Sequence, residues 1–146
     1  SMPDAWRERI VELFLQETGE LYADVSLSAL NIPKWEGNLL LVDQETYPEA
    51  SSLHGLLWSL PFLESGIRIA AFVVSRQHQS KGLGGKAWTH LLQHAQSLGK
   101  ETIQLEVKAE NTRAQKFYRL RGMEVVKQIE HYYQSGPGLV MKGTIE

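Results

Sequence analysis

The stretch VSRQHQSKGLGG, residues Val74–Gly85, decides how this chain is interpreted. It follows the apolar run Ile67–Val74, which is typical of a strand, and it leads directly into an amphipathic helix. A glycine-rich turn at such a junction gathers free backbone N–H groups at the positive end of a helix dipole, which favours a bound phosphate. The stretch therefore predicts a phosphate-binding loop, and the residues that follow it decide which molecule carries the phosphate.

Two known phosphate-binding motifs can be compared with this stretch. The stretch does not match a Walker P-loop, because Ser80 occupies the position of its first glycine and Ala87 follows Lys86 in place of serine or threonine. A dinucleotide fingerprint fits the spacing Gly82-x-Gly84-x-x-Ala87 only superficially. Its glycines lie well past the end of the strand, and the rest of the chain is too short for a second mononucleotide half. A loop around a pyrophosphate and a glycine-rich connector without a ligand both remain open.

The elements around the loop predict a mixed α/β chain that combines helices with a sheet. Helical spacing is found at 4–22, at 26–35, in the helix that follows the loop and ends at Gly99, and at 111–121. Strand patterns cover 38–42, 53–60, 67–74, 102–107, 123–128 and 139–145, with turn residues such as Pro61 and Gly136–Gly138 between them. We expect a single domain over residues 1–146, in which Ser1 before Met2 is typical of a tag-cleavage remnant.

The amino-acid composition argues against several classes of function. The chain has 146 residues, a formal net charge of −2 and no cysteine, which excludes disulfides, thiolate metal sites and a cysteine nucleophile. The near-neutral charge and the lack of long basic or apolar runs argue against nucleic-acid and membrane partners, so we expect a cytoplasmic protein. His90 and His94 lie one helical turn apart without a third ligand, so no metal site is predicted.

A second stretch, LEVKAENTRAQKFY (Leu105–Tyr118), carries polar groups at a regular spacing. Asn111, Ala114 and Tyr118 stand at i, i+3 and i+7, so they share one face of the predicted helix, where a ligand could lie. Phe117 and Leu120 face elsewhere and are expected to anchor that helix to the core. Taken singly, Asn111 could simply cap the helix and Tyr118 could border the core, but their joint spacing favours a binding role.

Together these stretches resemble the GCN5-related N-acetyltransferase (GNAT) family over about residues 38–145. The resemblance implies an α+β fold in which a mostly antiparallel sheet is flanked by helices, and acetyl-CoA as co-substrate. Gln79-x-x-Gly82-x-Gly84 corresponds to the family's loop around the acyl-CoA pyrophosphate. The implied cofactor-binding residues are Phe72, Val73, Val74, Gln79, Ser80, Lys81, Gly82, Leu83, Gly84, Gly85, Asn111 and Tyr118.

The chemistry of acetyl transfer assigns roles to some of these residues. A free amine is mostly protonated at neutral pH, so a base is required, and Glu106 is the candidate. Because a carboxylate is a weak base, Glu106 would act through water or be strengthened by burial, although it could also be an ordinary paired strand residue. Tyr118 can protonate the departing thiolate, and backbone N–H groups of 72–74 can polarise the thioester carbonyl. Direct attack by the amine needs no covalent enzyme intermediate.

The residues near the last hairpin bear on the acceptor. The motifs are closest to the branch that acetylates protein N-termini, where a tyrosine pair near the last hairpin helps to hold the peptide; here Tyr132 and Tyr133 match it. A peptide N-terminal amine is therefore the expected acceptor. A small amine, a lysine side chain and a catalytically silent acyl-CoA-binding module remain as alternatives. The family's usual first strand is not evident, and an uncovered sheet edge would favour a homodimer.

Overall fold

The structure, a computed structural model, describes residues 3–18, 38–79, 81–133 and 136–145. The helices in this part of the chain are α1 (Asp4–Thr18), α2 (Arg76–Gln79), α3 (Leu83–Ser97) and α4 (Thr112–Arg119). The strands are β1 (Leu39–Val42), β2 (Leu53–Phe62), β3 (Gly66–Val74), β4 (Thr102–Lys108), β5 (Glu124–Tyr133) and β6 (Gly136–Thr144). None of the helices described is long and apolar enough to cross a membrane.

The six strands form one sheet in the order β1-β2-β3-β4-β6-β5. β3 pairs in parallel with β4, whereas the pairs β1–β2, β4–β6 and β5–β6 are antiparallel. A parallel neighbour needs a crossover connection, and the chain between β3 and β4 supplies it with α2 and α3. The expected α+β fold, with a mostly antiparallel sheet and flanking helices, is confirmed.

One compact unit contains the described part of Ser1–Trp58 together with Ala71–Leu91. The apolar stripe of α1 packs against β2 and the end of β3, and this cluster consists of Ile10, Leu13, Phe14, Leu53, Leu56, Trp58, Ala71 and Val73. Burial of a large apolar side chain contributes about 2 kcal/mol. The three buried residues of α1 therefore hold this helix firmly on the strands that lead to the glycine-rich loop.

The other compact unit contains Ser59–Ala70 and the described part of Leu92–Glu146. β4 shows the predicted alternation, since Ile103, Leu105 and Val107 are buried while Gln104 and Glu106 lie on the other, half-buried face. Because successive side chains of a strand point to opposite faces, Glu106 is directed away from the apolar core.

Several boundaries differ from the sequence-based expectation. Pro61 lies inside β2, and β6 begins at Gly136, so Pro137 is a strand residue and not part of the turn. Proline cannot donate a backbone hydrogen bond, but the carbonyl of Pro137 accepts one from Ala109. Leu120 is 74% exposed, so the expectation that it anchors α4 to the core is wrong. The predicted helix at 26–35 lies outside the described residues.

Candidate active site

The entrance to the glycine-rich loop is tied to the two strands before it. The Gln79 side-chain amide donates to the carbonyl of Val74 at 2.8 Å, and the Ser75 backbone N–H donates to the carbonyl of His54 at 2.7 Å. Ser75 Oγ and His78 Nδ1 share a hydrogen bond of 2.8 Å. These bonds fix the loop at the end of β3, immediately after the predicted carbonyl-polarising residues Phe72–Val74.

The loop then turns into α3 through a left-handed glycine. Gly82 has φ +76°, a conformation that L side chains rarely adopt. The Lys86 backbone N–H donates to the carbonyl of Gly82 at 3.1 Å, and this bond closes the first turn of α3. The N–H groups of Leu83–Gly85 precede that bond, so the helix offers them no acceptors of its own, and these residues are only half-buried. This arrangement fits a diphosphate, whose negative oxygens are stabilised at a helix N-terminus. Ser80 lies outside the described residues.

A nearly buried carboxylate stabilises the start of the loop. Glu17, near the end of α1, has a side chain that is 5% exposed, and its Oε2 accepts from the Arg76 N–H at 2.9 Å. Arg76 is the first residue of α2, so the carboxylate lies at the N-terminus of this short helix. The position of α1 and the path of the loop are thereby linked.

A histidine of the same loop stacks on a histidine of β2. The rings of His54 and His78 lie 3.9 Å apart with an interplanar angle of 19°. Burial lowers the pKa of His54, and the nearby His78 and Arg9 lower it further. His54 is therefore neutral at pH 7, which avoids charge repulsion within the stack.

In the second unit Glu106 is held by Arg68 from the adjacent strand β3 and by Tyr132 from β5, which is separated from β4 by β6. Its side chain is 11% exposed, and its Oε1 accepts from Arg68 Nη2 at 2.5 Å, from Arg68 Nε at 2.9 Å and from the Tyr132 hydroxyl at 3.1 Å. The hydrogen bond to Glu106 raises the pKa of Arg68, although partial burial opposes it. Burial raises the pKa of Tyr132, and the Glu106 carboxylate raises it further, so the phenol remains a donor.

The segment from β4 to α4 orients the second motif. Asn111 caps α4, because its Oδ1 accepts from the Ala114 N–H at 3.1 Å. The buried Gln115 side chain donates to the carbonyls of Lys108 and Ala109 at 3.1 and 2.9 Å, and this clamps α4 onto the end of β4. Tyr118 is 8% exposed on the same helix.

The predicted residues fall into both compact units. The first unit contains Phe72–Val74, Gln79 and 81–85, and the second contains Glu106, Asn111, Tyr118 and Tyr132. Glu106 and Tyr132 are in direct contact, while the backbone of Tyr133 pairs with Gly136.

Sequence reasoning missed two residues of the second unit, Arg68 and Gln115. Arg68 carried a signal, since it is the one charged residue in the otherwise apolar segment of β3. Gln115 carried none, because a glutamine on a polar helix does not reveal which carbonyls it reaches.

A comparison with known protein families identifies the family of this chain. Residues 8–123 match the family model described as the acetyltransferase (GNAT) family. The chain belongs to the GNAT family. It is therefore an acyltransferase, and acetyl-CoA is its co-substrate. In the part of the chain that the structure describes, no three His, Cys, Asp or Glu side chains are grouped so that they could hold a metal ion.

Solved structures share the GNAT fold across nearly the whole chain. The ribosomal-protein-S18-alanine N-acetyltransferase of Escherichia coli has a TM-score of 0.78 at 17% identity, covering 100% of this chain and 92% of that chain. Arabidopsis thaliana Naa50, in complex with the bisubstrate analogue CoA-Ac-MVNAL, has a TM-score of 0.73 at 19% identity. The match covers 97% of this chain and 94% of that chain. An aminoglycoside 6'-N-acetyltransferase complexed with coenzyme A has a TM-score of 0.69 at 19% identity. The match covers 96% of this chain and 91% of that chain. No curated protein matches the sequence of this chain.

Proposed function

We propose that this GNAT protein transfers the acetyl group of acetyl-CoA to the N-terminal amine of a peptide or protein. The observation that carries the proposal is the 3.1 Å hydrogen bond between Tyr132, a predicted acceptor-binding residue, and Glu106, the predicted base. An amine held beside the exposed face of Tyr132 would lie close to the carboxylate that must remove its proton. Tyr133, the second tyrosine of the hairpin, is proposed to contact the peptide as well.

Residues of the first unit are proposed to bind the co-substrate. The N–H groups of Leu83–Gly85, with Lys81 beside them, would bind the pyrophosphate, and Gly82 and Gln79 would shape the loop. Ser80 is assigned to the same loop by the sequence motif alone. Backbone N–H groups of Phe72–Val74 are proposed to polarise the thioester carbonyl, as an oxyanion hole does. From the second unit, Asn111 is proposed to offer its side-chain NH2 group to the co-substrate; its Oδ1 accepts from the Ala114 N–H and caps α4.

The reaction then needs two proton transfers. As the amine nitrogen forms its bond to the acetyl carbon, Glu106 accepts the amine proton, directly or through water. The carbon–sulfur bond breaks, and Tyr118 donates a proton to the leaving thiolate. The products are an N-acetylated acceptor and the free thiol of CoA, so neither an oxidant nor a covalent enzyme intermediate is required.

The choice of acceptor rests on two supporting facts. The tyrosine pair of the hairpin matches the branch that acetylates N-termini, and two of the structures compared above are an alanine N-acetyltransferase of a ribosomal protein and a complex with a peptide-containing bisubstrate analogue. An aminoglycoside acetyltransferase shares the fold, which makes a small amine the second candidate.

A thiol-release assay tests the proposal. The protein and acetyl-CoA would be mixed with three pools of acceptors: peptides with free N-termini, polyamines and amino sugars. Peptide-dependent release of CoA thiol is expected, and N-terminally blocked peptides that contain lysine serve as the matched control. Turnover with blocked peptides would indicate a lysine acetyltransferase, whereas turnover with amino sugars or polyamines alone would indicate the small-amine alternative. Acetyl-CoA binding without turnover in any pool would indicate a silent binding module.

Two variants test the assigned roles. Glu106→Gln removes the proton acceptor and Tyr118→Phe removes the proton donor, and general acid–base catalysis usually contributes about 10²–10⁴-fold. Each variant should therefore lose roughly that factor in kcat while it still binds acetyl-CoA. Full turnover of both variants across pH 6–9 would rule out these roles.

A further inference from the structure

One oxygen of the Glu106 carboxylate receives nearly all of its hydrogen bonds. Oε1 accepts from both Nη2 and Nε of Arg68 and from the hydroxyl of Tyr132, at 2.5, 2.9 and 3.1 Å. Among the described residues, the one hydrogen bond recorded for Oε2 is a long one of 3.4 Å from Arg68 Nε. A carboxylate oxygen has about two lone-pair sites, so Oε1 is fully engaged while Oε2 keeps the capacity to accept.

Strand register explains how Arg68 reaches Glu106. Arg68 is paired with Gln104 across β3 and β4, and Glu106 is two residues further along β4 on the same face. Diagonal neighbours of this kind lie within reach of long side chains. The Arg68 side chain is 32% exposed, which places the ion pair at the margin between the sheet and solvent.

An irregular stretch of β5 brings Tyr132 to the same carboxylate. Ile129 pairs with Gly138 and Tyr133 pairs with Gly136, so three residues of β5 lie opposite one residue of β6. His131, in the middle of this bulge, has a left-handed φ of +57°. Bulges redirect side chains, and this one turns Tyr132 over the sheet. The Tyr132 ring lies against Gly138, where a Cβ would be 2.9 Å from its Cδ2.

We propose that Arg68 and Tyr132 are positioning residues that hold Glu106 by Oε1 and leave Oε2 as the atom that accepts the amine proton. The inference rests on the proposed function, because it specifies which atom of the predicted base acts and what orients it. Arg68 and Tyr132 keep their own protons throughout: the proton leaves the acceptor nitrogen and ends on Oε2, while the nitrogen lone pair forms the bond to the acetyl carbon.

The two neighbours contribute different effects. Arg68 holds Oε1 with two N–H donors of one planar guanidinium, which fixes the orientation of the carboxylate. The Tyr132 hydroxyl remains protonated, because burial and the Glu106 carboxylate raise its pKa, and it therefore donates at every working pH. A surface ion pair could instead serve stability alone, and such pairs contribute little. The experiment must therefore separate positioning from stability.

A double-mutant cycle on the full chain makes this separation. The variants are Arg68→Gln, Glu106→Gln and the double variant, and Arg119→Gln, on an exposed part of α4, is the matched control for the loss of an arginine. Arg68→Gln should lower kcat/KM for the peptide acceptor by about 10–100-fold, as misplacement of a reacting group does, and should change the KM for acetyl-CoA by less than about twofold. In the Glu106→Gln background the same substitution should change kcat/KM by less than about twofold, because no base remains to be positioned.

A conservative variant gives an independent readout. Arg68→Lys keeps the positive charge but loses the fork of two N–H donors that holds Oε1, so it should recover only part of the kcat/KM that Arg68→Gln loses. Tyr132→Phe removes a single hydroxyl, and it provides a second probe if Arg68→Gln fails to fold. It should lower kcat/KM for the peptide acceptor about tenfold and change the KM for acetyl-CoA by less than about twofold.

The outcomes separate the inference from the function on which it rests. Equal losses from Arg68→Gln in the wild-type and Glu106→Gln backgrounds, or unchanged kcat/KM for both Arg68→Gln and Tyr132→Phe, would overturn the positioning role while acetyl transfer itself stands. A wild-type protein that shows no acetyl-CoA-dependent turnover with any amine would overturn the proposed function and this inference together.

Discussion

Gly55 on β2 allows the end of β3 to approach closely, and substitution by alanine should displace that end of the strand. A Cβ at position 55 would lie 2.6 Å from the carbonyl oxygen of Val73 and 3.1 Å from Cα of Val74. Both neighbours are backbone atoms, which cannot rotate away as a flexible side chain can. Val73 and Val74 belong to the segment proposed to polarise the thioester carbonyl.

The size of the effect follows from these distances. Ordinary contact begins at 3.4 Å, so a Cβ at 2.6 Å forces the two strands apart by about 0.8 Å. Overpacking of this kind costs about 1–3 kcal/mol of unfolding free energy. A misplacement approaching 1 Å at reacting groups can cost about 10²-fold in rate, so Gly55→Ala should lose roughly that factor in kcat/KM.

Urea unfolding and thiol release measure the two effects separately. Gly99→Ala is the matched control, because Gly99 has φ +71° and open space around its Cβ position. The strain of a left-handed alanine costs about 1–2 kcal/mol, which is similar to the loss in Gly55→Ala, but no atom near Val73 has to move. We expect comparable losses of stability and a loss of kcat/KM in Gly55→Ala alone. Wild-type kcat/KM in Gly55→Ala, or an equal loss in both variants, would refute the reasoning.

Three further predictions follow from the hydrogen bonds and the pKa shifts. Glu17→Gln should lower the unfolding free energy by about 1–2 kcal/mol and weaken acetyl-CoA binding, because it removes a charged acceptor of the Arg76 N–H. The control Glu12→Gln, at an exposed residue of the same helix, should do neither. Equal stability and equal calorimetric Kd for acetyl-CoA in the two variants would contradict this prediction. Asn111→Ala should lose about 1 kcal/mol of stability together with acetyl-CoA affinity, whereas Asn111→Ser should keep the cap and lose only affinity, as urea unfolding and calorimetry can show. The lowered pKa of His54 means that the unfolded chain binds its proton first as the pH falls below about 6.5, so the unfolding free energy should fall from pH 7 to pH 5, and this fall should be smaller in His54→Gln. Identical pH dependence in the two proteins would contradict it.

Local sequence patterns were sufficient to predict the type and orientation of an element where one of its faces is buried. The alternation in β4 predicted that Glu106 lies opposite Leu105 and Val107, and the structure agrees, because a strand with one apolar face has a single stable orientation. The helix after the glycine-rich loop was predicted for the same reason, since its apolar residues recur at helical spacing and Gly99 ends it with φ +71°. The match to the GNAT family confirms the donor that these motifs implied.

Features that depend on tertiary contacts were not predictable. The path of β6 through Pro137 depends on a carbonyl that pairs with Ala109, which no local pattern records. Leu120 is apolar but lies just past the last residue of α4, so helical spacing alone misplaced it toward the core. The partnership of Arg68 with Glu106 joins residues 38 positions apart, and it depends on the parallel register of β3 and β4.

Calorimetric titration with acetyl-CoA tests the central claim most directly. The wild-type protein at micromolar concentration should bind acetyl-CoA and give no heat with a nicotinamide dinucleotide. Glu106→Gln should bind acetyl-CoA about as tightly as the wild type, since Glu106 is assigned to the acceptor's proton and not to the co-substrate. Gly82→Ala should bind more weakly, because the loop needs the left-handed conformation found at this position. The absence of acetyl-CoA binding by the folded wild-type protein would contradict the account.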